Sequence, residues 1–164
     1  MGAAGAGLPY RRGVGALLFN AANRVFVARR IDTPGGAWQL PQGGIRKNEA
    51  PHDAVFRELA EEIGTDRAVI LSTSSRWFRY DLPEHLVGKV WKGRYRGQEQ
   101  LWFALRFTGT DADIDLAAHD KPEFDAWRWG DYDDLPRLAV SFKRVLYQDL
   151  VSEFRSVLGD TPAP

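Results

Sequence analysis

Three glutamates stand close together near the end of one expected helix: Glu58, Glu61 and Glu62. At about 100° per residue they gather within an arc of about 100°, and the 58/61 and 58/62 pairs are neighbours on the helix surface. Like charges at that spacing cost about 0.2–0.5 kcal/mol per pair. They also fall in the last turns before Gly64, where the helix dipole disfavours anions. A sequence choosing only for stability would place Lys or Arg there, so something cationic is expected to compensate. Oxygen donors without His or Cys favour a hard divalent cation, Mg²⁺ or Mn²⁺. An acidic helix face also fits a solvated surface paired with Arg57 or other basic residues.

The elements that must position these acids can be read around them. The helix is expected from about Glu49 to Ile63. Asn48 is available as its cap, Pro51 suits its first turn and Gly64 suits its end. Val55, Phe56, Leu59, Ala60 and Ile63 would face the core. Residues 13–20 and 24–30 read as strands joined by a turn at 21–23, and 32–37 reads as a loop. Trp38–Leu40 reads as a short strand, and 42–48 as a Gly-bearing loop. Strands are expected within 69–82, 98–108 and 124–129. Residues 141–158 read as an amphipathic helix with Phe142, Val145, Leu146, Leu150, Val151 and Phe154 at helical spacing. Strands, helix, strands, helix give an α/β chain with helices packed on a mixed sheet.

Composition narrows the class. The 164 residues suit one domain, expected over 10–158, with a flexible leader at 1–9 and a flexible tail at 159–164. Cysteine is absent, which removes a disulfide scaffold, a thiolate metal site and a cysteine nucleophile, and suits a cytoplasmic location. No apolar run is long enough to span a membrane. With 22 basic and 22 acidic residues, the chain lacks the bulk charge of a duplex-DNA binder. A basic stretch from Arg76 to Arg96 leaves room for a local anion site.

The stretch from Gly43 to Thr65 is more specific than its helix. Gly43, five residues, Glu49, seven residues, then Arg57-Glu58-Leu59-Ala60-Glu61-Glu62-Ile63-Gly64 resembles the Nudix box. Thr65 departs from it, since an aliphatic residue is usual there. The resemblance implies a Nudix α/β/α sandwich with a mixed β-sheet and a loop–helix–loop catalytic element. It implies metal ligation by Glu58, Glu61 and Glu62, joined by the Gly43 carbonyl, with Glu49 and Arg57 holding the loop to the helix by an ion pair. The reaction would be hydrolysis of a phosphoanhydride by water, with Glu58 or a second-loop acid as base. That second acid is Glu123, in Lys121-Pro122-Glu123-Phe124, where Pro122 would leave it on a loop rim.

Further segments, including Tyr10-Arg11-Arg12-Gly13, Trp38-Gln39-Leu40-Pro41-Gln42, Gly97-Gln98-Glu99-Gln100 and Ser141-Phe142-Lys143-Arg144, are similar to bacterial RNA 5′-pyrophosphohydrolases. These overlap with dinucleoside polyphosphate hydrolases of the diadenosine tetraphosphate type. The resemblance implies Glu58, Glu62 and Glu123 as catalytic residues and Glu123 as a further metal ligand. It places Arg11, Arg30, Gln98, Phe142 and Lys143 at the substrate, pairing with phosphates or stacking on a base. Arg12 stands where that subgroup often has proline, and the loop 88–96 does not align with it. The implied protein is a monomer acting on a nucleotide or an RNA 5′ end, with no membrane or duplex-DNA partner and any protein activator unspecified. A nonhydrolytic nucleotide sensor would be expected to have lost its metal-binding acids, and a housekeeping hydrolase of damaged nucleoside triphosphates is a further alternative.

Overall fold

A computed structural model describes residues 5–32 and 35–158. The expected tail at 159–164 and part of the expected leader lie outside them. Within the leader, the Leu8 N–H donates to the Gly5 carbonyl, and the Pro9 carbonyl accepts from the Arg96 N–H at 3.0 Å.

Eight strands form one mixed sheet. They are β1 (Tyr10–Phe19), β2 (Val25–Arg30), β3 (Trp38–Gln39), β4 (Gln42–Gly44), β5 (Ala68–Thr73), β6 (Phe78–Asp81), β7 (Gly97–Phe107) and β8 (Phe124–Gly130). The central β1/β7 pair is parallel, in register from Tyr10↔Gly97 to Phe19↔Arg106, and every other pair is antiparallel. Helix α1 (Pro51–Ile63) covers one face. Its Ala54, Val55, Leu59 and Ile63 pack with Val14, Ala16, Leu18, Phe103 and Leu105. On the other face, α2 (Leu135–Leu138) and α3 (Arg144–Phe154) cover Leu17, Phe19, Trp102 and Ala104. Successive β1 and β7 residues thus feed opposite cores, as strand alternation requires. This is the expected α/β/α sandwich.

The splay between β1 and β2 positions the site. The two strands pair at Phe19↔Val25. Beyond it β3 joins β2 and β4 joins β1, so the chain from Trp38 to Gly44 crosses the gap. The Leu40 N–H donates to the Tyr147 hydroxyl at 2.9 Å, fixing that crossing to α3.

Several local expectations need correction. Residues 42–44, expected as loop, are a strand: Gly43 and Gly44 pair with Val14 and Gly13 of β1, and their missing side chains leave room for the Glu58 carboxyl and the Arg11 guanidinium. Helix α1 begins at Pro51 with Ala50 at its cap; Asn48, with φ 62°, sits outside it in the left-handed region. Glu49 is outside too, because its carboxylate accepts the Arg46 N–H and binds Arg57. Gly64 does end the helix, at φ 80°. Ala60 is exposed, not part of the core. Residues 69–82 are two strands, interrupted where the Ser74 hydroxyl donates to the Arg76 carbonyl. The helix expected at 141–158 has 3₁₀ turns at both ends, and the change of phase leaves Val145 67% exposed. Thr65 is buried, and its hydroxyl oxygen accepts the Arg67 N–H.

Candidate active site

Glu58, Glu61 and Glu62 leave α1 beside the glycine crossing, but they do not share one solvent face. Glu62 is 4% exposed. It points into the splay, where its Oε2 accepts the Gln42 N–H at 3.1 Å. Burial holds its carboxyl well above the usual range, and the charges of Glu123 and Glu58 push it further the same way. Glu58 is also raised, first by burial, with Arg57 opposing. A β-carbon at Gly43 would collide with the Glu58 carboxyl, so only glycine lets the strand back onto that acid. The Gly43 carbonyl itself lies against Gly13.

Arg57 is the hub of the outer part. It grips Glu49 with two parallel bonds, Nε to Oε2 at 2.7 Å and Nη2 to Oε1 at 2.8 Å. It also reaches Glu58 at 2.7 Å, Glu61 at 3.2 Å and the Gly44 carbonyl at 2.8 Å. Arg46 takes the other oxygen of Glu61 at 3.1 Å. The Arg57 bonds hold Glu49 down at about 2. Thus arginines compensate two of the three helix glutamates. Glu62 has no ion-pair partner within 4.0 Å among the described residues, and Arg30 and Lys143 act on it from further away.

Glu123 immediately precedes β8, with its carbonyl accepting the Ile31 N–H. Its side chain reaches toward Glu62 and lies 3.8 Å from Arg30 Nη1. Arg30 is held by Asp32 through two bonds of 2.7 and 2.8 Å.

On the α3 face, Gln98 is fully buried. Its carbonyl accepts from Arg11 at 3.1 Å, and its amide donates to the Tyr80 hydroxyl at 2.6 Å and to Gln42 Oε1 at 2.9 Å. Gln100 donates to the same Gln42 oxygen. Lys143 is buried beside Tyr80 and Phe142, its Nζ 5.5 and 6.0 Å from their ring centroids. Burial, then the nearby Arg30, lower it to about 8, against the pull of Glu62. Phe142 is half-buried, packing on the core and on Tyr80.

A cleft of about 410 Å³ opens over α1 and β4, lined by Tyr10, Arg11, Arg12, Arg46, Arg57, Glu58 and Tyr95, among others. Four guanidiniums face one carboxylate there, a setting for a polyanion. Of the residues expected at the substrate, only Arg11 lines it. Arg30, Gln98, Phe142 and Lys143 lie on the α3 side of the splay, joined to it through Gln42 and Glu62. Tyr10, Arg46 and Tyr95 were not anticipated. The alternation of Tyr10, Arg11 and Arg12 along a strand was the available signal, since it sends the outer two residues to one face.

The donor set suits a hard cation: carboxylates and a backbone carbonyl, with a buried acid that no basic side chain pairs. Among the described residues no three acidic or imidazole groups already converge around a point. The fit therefore rests on the uncompensated Glu62 charge and on the glycine cradle around Glu58, with Arg57 and Arg46 holding Glu58 and Glu61 in the geometry described.

The NUDIX domain model matches residues 9–150. An RNA pyrophosphohydrolase of Rhodospirillum rubrum is 57% identical over 159 residues, covering 96% of this chain and 94% of that protein. One from Rickettsia africae is 50% identical over 151 residues, covering 92% and 93%. Among solved structures, the E. coli dihydroneopterin triphosphate pyrophosphohydrolase superposes with a TM-score of 0.62 at 20% identity, over 88% of this chain and 98% of that one. A C. elegans Ap4A hydrolase gives 0.62 at 16% identity, over 87% and 96%. These structural likenesses bear on the fold, whereas the domain match and the long, closely similar relatives establish that this chain belongs to the Nudix family.

Proposed function

We propose that this protein is a cytoplasmic, monomeric RNA pyrophosphohydrolase that converts a 5′-triphosphate RNA end to a 5′-monophosphate with Mg²⁺ or Mn²⁺. The observation that carries the reading is a buried carboxyl without an ion-pair partner among the described residues, Glu62, flanked by the exposed Glu123 and joined to an arginine-lined cleft through Glu58. The long similarity to relatives named RNA pyrophosphohydrolase supports it.

Glu58, Glu61, Glu62, Glu123 and the Gly43 carbonyl would hold the cation. When bound, it would neutralise phosphate charge and make the attacking water more acidic. Arg11 binds the polyphosphate from the cleft, and Arg30 and Lys143 bind it from the α3 side. Phe142 offers a ring to the first base. Glu58, already raised by burial, accepts the proton of the attacking water, and Glu123 holds the opposite side of the site. Glu49 and Arg57 keep the glycine loop against α1, so that Glu58 stays aimed at the cleft.

The test is a comparison of 5′-triphosphorylated RNA with diadenosine tetraphosphate at equal enzyme and metal. Release of pyrophosphate from the RNA, at a higher kcat/KM than for dinucleotide cleavage, supports the reading. Untouched RNA beside a consumed dinucleotide would replace it with a dinucleoside polyphosphate hydrolase.

A further inference from the structure

We propose that the outer face of β1, β7 and β6, beside the cleft, is a shelf for the single-stranded RNA that follows the 5′ end. This rests on the reading of the site as one for RNA ends. Strand register defines the shelf. Tyr10 pairs with Gly97 and Arg12 with Glu99 across β1/β7, while Arg79 pairs with Glu99 and Asp81 with Gly97 across β6/β7. Paired residues point to the same side of a sheet. Tyr10, Arg12, Arg79, Glu99 and Asp81 therefore share one face, and Arg11, Gln98 and Tyr80 share the other, as their hydrogen bonds show.

The face interleaves rings and guanidiniums. Arg12 lies over the Trp77 ring at 4.3 Å from its centroid. Arg79 and Arg96 lie over the Tyr10 ring at 4.8 and 5.0 Å. Glu99 holds Arg79 at 3.3 Å and Asp81 holds Arg96 at 3.3 Å, so the acids steady these two cations against the ring. Arg12, exposed, has no carboxylate partner among the described residues and is left for an anion. Tyr10 and Arg12 also line the cleft, so the shelf begins where the polyphosphate site ends. Three strands span about 10 Å, counting two inter-strand spacings.

Rings alternating with arginines form the combination that binds single strands without sequence preference, through stacking on base faces and contacts to phosphate. A duplex hides its base faces and binds mainly through charge. Here three arginines face two acids, too small a surplus for that mode, so binding to this shelf is expected to depend on stacking and only weakly on salt.

The test uses the full chain and fluorescence anisotropy with 5′-hydroxyl RNA, a decamer and a trimer, neither carrying the polyphosphate. The decamer is expected to bind at least about tenfold more tightly than the trimer, the range of one or two stacked bases. Trp77→Leu and Arg79→Gln are expected to weaken decamer binding about fivefold or more, leave the trimer unaffected and leave turnover of a 5′-triphosphorylated dinucleotide unchanged. Equal decamer binding by wild type and both variants would overturn the shelf, as would equal binding of the two RNAs. Arg79 is exposed, so Arg79→Gln decides the matter if Trp77→Leu fails to fold. Weakened decamer binding in Arg79→Gln would support the shelf even if the wild type released no pyrophosphate from triphosphorylated RNA, a result that would overturn only the enzymatic reading.

Discussion

The carboxyls of Glu62 and Glu123, one on the last turn of α1 and the other immediately ahead of β8, lie close enough for the charge of Glu123 to act on Glu62. Burial and mutual repulsion both favour the protonated form of Glu62, so a folded chain without a cation pays for ionising it. The sign follows from linkage. A carboxyl raised in the folded state binds more protons there than in the unfolded chain, and its contribution to stability falls as pH rises above the ordinary value of 4.5.

Glu62→Gln should therefore stabilise the metal-free protein at pH 7 while abolishing most turnover. Thermal melts in chelator should show a higher midpoint for the variant, with the gap closing toward pH 4. Added Mn²⁺ should raise the midpoint of the wild type and raise that of the variant less. A variant less stable than wild type in chelator at pH 7 would contradict the account of this acid.

Glu49 behaves oppositely. Its carboxylate is held at about 2 by the Arg57 fork, so its stabilising contribution is present above about 4.5 and lost as pH falls toward 2. Glu49→Gln should cost about 1.5–3 kcal/mol at pH 7, the range for hydrogen bonds to charged groups. Urea unfolding should show the difference shrinking between pH 4.5 and 2. Turnover should fall as well, because Arg57 then loses its anchor and Glu58 its position.

Lys143 gives a basic limb. Lowered to about 8 from 10.5, it binds fewer protons folded than unfolded between those values, so stability should rise across that interval. Polyphosphate binding should weaken over the same interval as the cation is lost. Lys143→Met should raise KM about tenfold, a loss of about 1.4 kcal/mol, and remove the rise of KM above pH 8. It should leave the protein at least as stable at pH 7, because a buried charge is removed. An unchanged KM profile would exclude Lys143 from the substrate.

Helix α1 was legible because Val55, Leu59 and Ile63 repeat at helical spacing between Pro51 and Gly64. Its capping was not, because Glu49 is drawn away from the helix by Arg46 and Arg57, a tertiary bond that spacing does not reveal. The acids were legible as a cluster, but treating the helix as a cylinder in water made Glu62 a surface residue. It is buried because the splay between β1 and β2 lies against that side. Gln98, Phe142 and Lys143 were legible only through resemblance, since their joining to Tyr80 depends on the β6/β7 pairing and the docking of α3. Val145 was misplaced because a 3₁₀ turn shifts the phase of the segment. Arg12, seen first as a departure from a pattern, acquires meaning from the register that sets it beside Tyr10 and Trp77.

The central claim is that carboxylates on α1 serve a cation-dependent attack on a 5′-polyphosphate. Pyrophosphate release from 5′-triphosphorylated RNA, followed for wild type and Glu58→Gln with Mg²⁺, with Mn²⁺ and in chelator, tests it most directly. The account predicts release by the wild type only with a divalent cation, and a loss of at least about 100-fold in Glu58→Gln at an unchanged melting temperature. Release that persists in chelator, or a Glu58→Gln protein as active as the wild type, would contradict it.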